Sequence, residues 1–164
     1  MLSNQIKSIT KLSIVAALYV ALTYAFSFMS FGEIQFRIAE ILMLLCFFNK
    51  KYTISLTLGC LIANLFSPYG IVDIVFGTLA TFVACVGIIL FNKKHLFLAS
   101  LMVPIGNIIV GIEIAIINSF TLVPALLTIL WIFIGEFVVV SIVGVPLFKL
   151  LSKNEKFEEL VLDV

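Results

Sequence analysis

Five acidic side chains lie in or beside the long apolar runs of this chain: Glu33, Glu40, Asp73, Glu113 and Glu136. The remaining acids are confined to its last ten residues. Gln35, Arg37, Asn64 and Asn107 share the apolar setting. A carboxylate at the centre of a bilayer costs about 2.5–3.5 kcal/mol on insertion scales, so such groups face a bundle interior and have a role. The chemistry these types offer is recognition. Carboxylates accept hydrogen bonds and attract cations, amides donate and accept, and a guanidinium donates through a planar fork. Several acids in one pocket fit a ligand rich in N–H donors or carrying positive charge. Catalysis would want a nucleophile–base pair or a metal cluster. The single histidine, His95, instead sits beside Lys93 and Lys94, where a solvated turn residue is expected. Cys46, Cys60 and Cys85 lie in apolar runs without paired spacing, which is the pattern of buried small hydrophobes and not of a disulfide framework or zinc site. Neither an enzyme nor a bound cofactor is expected.

Each acid also has a plainer reading. Glu40 has Arg37 three residues before it on the same helix face, so the two can pair. Asp73 opens an apolar run, where an acid stabilises a helix N-terminus. Glu113 and Glu136 have no cation nearby in sequence, and they are the carboxylates we expect to meet a ligand. Counted along their spans, Glu40, Asn64, Asp73 and Glu113 fall in the outer half, while Asn107 and Glu136 fall near the middle.

The elements that must position them follow from hydropathy. The chain is 63% hydrophobic and 12% charged, with mean hydropathy +1.27. Soluble domains are about half apolar and about a quarter charged, so the expectation is an all-α membrane protein. Six apolar runs stand at 9–31, 34–48, 52–66, 71–91, 96–117 and 122–150. Read as six transmembrane helices, they place all nine lysines on one side: Lys7, Lys11, Lys50, Lys51, Lys93, Lys94, Lys149, Lys153 and Lys156. Arg37 falls on the other. Lysine bias in short loops marks the cytoplasmic face, so both termini are expected inside. The same rule explains the lysines without nucleic acid. Six spans leave little chain for anything else, and residues 1–164 read as one integral membrane domain. The first run is long enough to span and is expected to be retained and not cleaved as a signal.

The second and third runs are only about 15 residues long, short of the roughly 20 that cross a typical bilayer. The polar stretch FGEIQFR at 31–37 is therefore expected to fold inward, because irregular backbone at membrane depth must be covered by protein or line a cavity. Ser67, Pro68, Tyr69 and Gly70 read as an outer turn, and Asn92 to His95 as an inner one. Pro124 suits a first helical turn, Pro146 a kink or an end, and the charged tail after Leu150 a short surface helix. Ala17, Ala21 and Ala25 recur every four residues. Such a ridge lets another helix approach closely, either within the bundle or from a partner.

The stretches FGEIQFRIAE at 31–40 and ANLFSPYGIVDIVFGTLA at 63–80 are similar to those of the QueT family. Those proteins are the substrate-binding S components assigned to queuosine precursors among energy-coupling factor (ECF) transporters. The resemblance runs over nearly the whole chain and is less distinctive at Asn107, Glu113 and Glu136. It implies a six-helix S-component fold in a bacterial plasma membrane, capturing substrate from outside. It also implies partners: a transmembrane coupling subunit (EcfT) and two cytoplasmic ATPases, needed because this chain has no phosphate-binding loop of its own. In related S components an alanine ridge on the first helix meets the coupling subunit, which carries over to Ala17, Ala21 and Ala25.

The implied ligand, a 7-deazaguanine such as the 7-cyano or 7-aminomethyl form, or the larger queuine, presents N1–H and an exocyclic amine side by side. One carboxylate can accept both, and Glu113 or Glu136 is the expected one, with Glu40 left to Arg37. The acceptor O6 suits Asn64, Asn107, Gln35 or Arg37. An aminomethyl group would add a cation for a second acid, and Phe36, Phe66, Tyr69 or Phe76 could stack on the ring at about 1–3 kcal/mol. The expected substrate contacts are thus Gln35, Arg37, Glu40, Asn64, Tyr69, Asp73, Asn107, Glu113 and Glu136. Two other readings stay open: an S component for another vitamin, and a solitary proton-coupled carrier with Glu113 or Glu136 as its proton site.

Overall fold

The computed structural model describes residues 2–30, 35–91, 95–118 and 121–162, and the described residues are helical with no strand. Glu33, the first part of the outer loop and most of the inner turn with Lys93 and Lys94 lie outside the described residues. Helix α1 (Leu2–Ala25) is followed by a single turn, α2 (Ser27–Ser30). A 3₁₀ helix (Ile38–Leu44) runs into α3 (Leu45–Phe48), and α4 is Tyr52–Asn64. Helix α5 is one run, Ile71–Phe91. The next apolar stretch is broken into α6 (Leu96–Ser100), α7 (Met102–Gly106) and α8 (Ile108–Ile117). Helix α9 (Leu122–Glu136) widens into a π-helical segment (Phe137–Gly144) before α10 (Val145–Leu151), and α11 (Glu155–Leu162) ends the chain.

Among the described residues, four helical runs are long and apolar enough to cross a membrane: Gln5–Ala25, Ile71–Phe91, Leu96–Ile117 and Leu122–Leu151. Ile38–Phe48 and Tyr52–Asn64 are shorter apolar helices. The 3₁₀ geometry of the first of these stretches it, since a 3₁₀ helix rises about 2.0 Å per residue against about 1.5 Å for an α-helix. Large apolar side chains cover the outside, among them Phe28, Ile71, Leu90 and Leu122. A belt of that kind belongs in lipid, and the protein is membrane-embedded.

Helix α1 packs chiefly on α4, α4 on α5, and α8 on α9. Gly59 permits the first contact: a Cβ there would lie 3.0 Å from the Ala16 carbonyl and 3.1 Å from Tyr19 Cβ. With α1 seated this way, Tyr19 is buried while Ala17, Ala21 and Ala25 face outward. The ridge is left unpaired by the bundle itself, and Ala17 and Ala21 line an apolar groove of about 850 Å³ between α1 and α4.

One end of the molecule collects the described lysine-rich segments. Lys11 Nζ donates to the Leu160 carbonyl at 3.3 Å, and Asn49 Nδ2 donates to the Leu162 carbonyl at 3.1 Å. The tail is thus a helix folded back onto the bundle, with Val161 buried and Phe157 edge-on to Phe148 at 6.1 Å. Helix α4 runs from this end to the opposite one, where Ser67, Pro68, Tyr69 and Gly70 turn the chain. The Gly70 N–H bonds the Ser67 carbonyl at 3.2 Å, and Gly70 takes the positive φ of 66° that a tight turn asks of glycine.

Among the described residues the core divides into two apolar clusters. The larger contains Leu44, Leu56, Cys60, Val103 and Val140, and the smaller Ala80, Val110, Ile114 and Ile132. Asn107 separates Val103 of the larger from Val110 of the smaller along the α7–α8 run. Glu136 likewise separates Ile132 from Val139 and Val140. A polar layer therefore crosses the bundle between them.

Candidate substrate site

The polar layer centres on Arg37, which is 2% exposed. It stands at the head of the 3₁₀ helix, where side chains three residues apart eclipse one another. Glu40 consequently sits over it, with Oε1 3.9 Å from Nη1. Arg37 Nη2 donates to Asp73 Oδ1 at 3.4 Å, and Nε to the Ser30 carbonyl at 3.4 Å. The guanidinium is thus shared, and its nearer acid is Asp73. This modifies the assignment of Glu40 alone to Arg37, and of Asp73 to a helix cap. Asp73 does lie in the first turn of α5, but its carboxylate turns inward because Gly77, one turn on, leaves room. A Cβ at Gly77 would stand 2.8 Å from Asp73 Oδ1 and 2.6 Å from Asn64 Nδ2.

Asn64 closes the same corner. Its Nδ2 donates to the Asp73 carbonyl at 3.0 Å and approaches Cys60 Sγ at 3.4 Å, while Thr81 Oγ1 donates to that sulfur at 3.1 Å. Across the bundle, Asn107 Nδ2 donates to Glu40 Oε2 at 2.6 Å. Asn107 lies where α7 gives way to α8, three residues after Pro104, whose missing N–H weakens the ladder there. Glu136 stands where α9 passes into the π-helical segment, the kind of widened turn often found at functional sites. Pro146 follows that segment at the start of α10. The wider coil relieves the clash of a proline ring with the preceding turn, so the helix neither ends nor breaks at Pro146.

Gln35 enters the layer on strained backbone. It has φ 49°, a left-handed value uncommon for a residue other than glycine, and the Arg37 N–H bonds its carbonyl at 3.0 Å. Such strain persists where the surroundings hold it, commonly at binding sites. Gln35 and Arg37 are both 2% exposed, so this end of the outer loop does turn inward.

Several polar groups of the layer are buried without a hydrogen bond among the described residues. Glu136 and Glu113 each have both carboxylate oxygens buried with no hydrogen-bond partner among the described residues. The same is true of Glu40 Oε1, Asp73 Oδ2, Gln35 Nε2, Ser30 Oγ and the Tyr19 hydroxyl. Native interiors pair such groups, because each one left unmade costs about 1–3 kcal/mol. The layer is rich in acceptors, short of donors, and keeps a few donors of its own.

Tyr19 is the residue that sequence reasoning missed. It is 1% exposed on α1, and its electrostatic neighbours are Cys60, Glu40 and Arg37. Among the expected contacts, Gln35, Arg37, Glu40, Asn64, Asp73, Asn107 and Glu136 converge on this layer. Glu113 adjoins it from the side, with Asp73 and Arg37 as its charged neighbours. Tyr69 packs instead against the smaller apolar cluster. Of the aromatic candidates, Phe66 is exposed and edge-on to Tyr24 at 5.0 Å, Phe36 packs on the larger core, and Phe76 lines a side groove with Glu113.

The described residues thus form an all-helical, membrane-embedded body with an apolar exterior and a buried, acceptor-rich polar layer. The family profile described as QueT transporter matches residues 9–153, and the chain belongs to that family. The Lactococcus lactis subsp. cremoris (strain MG1363) protein named Queuosine precursor transporter QueT is 47% identical over 88 residues. Those residues are 52% of this chain and 52% of that protein, so the chain spans about half the length of the relative it matches. No solved structure matches the chain.

Proposed function

We propose that the chain is the substrate-binding S component of an ECF importer, which captures a queuosine precursor of the 7-deazaguanine class from outside the cell. The reading makes residues 1–164 one domain with six crossings of a bacterial plasma membrane and both termini in the cytoplasm. The two short apolar helices complete the six. The clustering of Lys11, Asn49 and the tail helix at one end, with the polar layer toward the other, supports that orientation. The relative's name supports the substrate class.

The observation that carries the proposal is the set of buried, unpartnered acceptors around Arg37. In this reading Glu136 accepts N1–H and the exocyclic amine of the base together. Gln35 Nε2 and the Tyr19 hydroxyl are the free donors for O6, and Asn64 and Asn107 hold Asp73 and Glu40 in place. Rejection of an analogue that lacks the matching N–H or carbonyl then follows, because the buried groups would be left unpaired. The chain supplies binding alone. Energy comes from two ATPases acting through a coupling subunit that docks on the outward face of α1 at Ala17, Ala21 and Ala25.

Reconstitution in liposomes tests this. Labelled 7-aminomethyl-7-deazaguanine is expected to accumulate only when the coupling subunit, both ATPases and ATP are present. Accumulation by the chain alone, collapsed by an uncoupler, would overturn the S-component reading in favour of a proton-coupled carrier.

A further inference from the structure

The two acids without a sequence-local cation have different surroundings. Glu136 stands within the layer, beside Glu40 and Arg37. Glu113 is 3% exposed, yet it opens onto a groove of about 440 Å³ between α5 and α8. Val72 and Phe76 line that groove from α5, and Ile109, Ile112 and Ile116 from α8. Among the described residues, Glu113 is the one charged group that lines it, and both of its carboxylate oxygens lack a partner. Its charged neighbours Asp73 and Arg37 belong to the polar layer, and Val72 of the groove directly precedes Asp73 in α5.

We propose that Glu113 determines specificity: from this side groove its carboxylate takes a positively charged amine on the substituent at position 7 of the substrate. The inference rests on the deazaguanine reading given above. A small ammonium-bearing arm suits the place on each count. Its N–H groups meet oxygens that have no other donor, its charge complements the acid, and its carbon lies against Phe76 and the aliphatic wall. A nitrile offers neither charge nor N–H. A substituent carrying several hydroxyls would bury them against aliphatic side chains without partners, which is unfavourable. The groove therefore favours aminomethyl over cyano and over bulkier polyhydroxylated forms.

Calorimetry on the full chain in detergent, with 7-aminomethyl- and 7-cyano-7-deazaguanine as probes, tests the assignment. Glu113→Gln is expected to weaken the aminomethyl ligand about 10- to 100-fold and to leave the nitrile within about twofold. The retained nitrile binding shows that the variant is folded. Glu113→Asp, which keeps the charge, is expected to recover part of the loss. Equal weakening of both ligands would overturn the inference and assign Glu113 to the shared base, with the binding function intact. No change for either ligand would also overturn it. If the unaltered protein binds neither, the deazaguanine reading itself fails and the inference falls with it.

Discussion

Arg37→Met is expected to abolish binding of every 7-deazaguanine and to lower the thermal midpoint of the purified protein. Arg37 is buried and holds Asp73 at 3.4 Å, Glu40 at 3.9 Å and the Ser30 carbonyl at 3.4 Å. Removing one partner from a buried ion pair costs about 3–5 kcal/mol, because it leaves an uncompensated charge. The loss would also release the 3₁₀ start and the strained Gln35 beside it. A second variant separates folding from recognition. Arg37→Met combined with Asp73→Leu replaces that pair by apolar groups, which is often neutral for stability. Stability is expected to recover in part while binding stays absent. Unimpaired binding by the single variant, measured by calorimetry, would mean that the layer around Arg37 is not the substrate site.

The second large effect concerns uptake without binding. Ala21→Trp is expected to eliminate ATP-driven accumulation in the reconstituted system and leave ligand affinity within about twofold. Ala21 is exposed, lines the groove between α1 and α4, and faces away from Tyr19. Bulk added there does not enter the core, but it prevents the close helix approach that small residues permit. Normal uptake by Ala21→Trp would show that the ridge is ordinary lipid-facing surface and that docking occurs elsewhere.

Local and long-range order in this protein were unequally legible in its sequence. Helix positions could be read because hydropathy is a local property. The run 71–91 reappears unchanged as α5, and the runs 96–117 and 122–150 return within a residue. The Arg37–Glu40 pair was also legible, since three residues is a local spacing. The Arg37–Asp73 and Asn107–Glu40 contacts join residues distant in the chain, and only the packing of helices decides them. The breaks around Asn107 and the π segment after Glu136 are tertiary adjustments that no period announces, although Pro104 and Pro146 mark their neighbourhoods. Tyr19 looked like any aromatic in an apolar run. Its signal was its place two residues from both Ala17 and Ala21, about 200° round the helix and so on the face opposite the ridge. The separation of Glu113 from Glu136 was illegible for a further reason. Depth along a span can be counted, whereas the side of the bundle that a residue faces depends on its neighbours.

Calorimetric titration of the purified chain with 7-cyano- and 7-aminomethyl-7-deazaguanine, queuine, guanine and a few vitamins is the most direct test. A dissociation constant of about 1 μM or tighter for a 7-deazaguanine, with guanine much weaker, is the expected result. Silence across the deazaguanines beside a clear signal from a vitamin would contradict the assignment of the buried acids to a deazaguanine base.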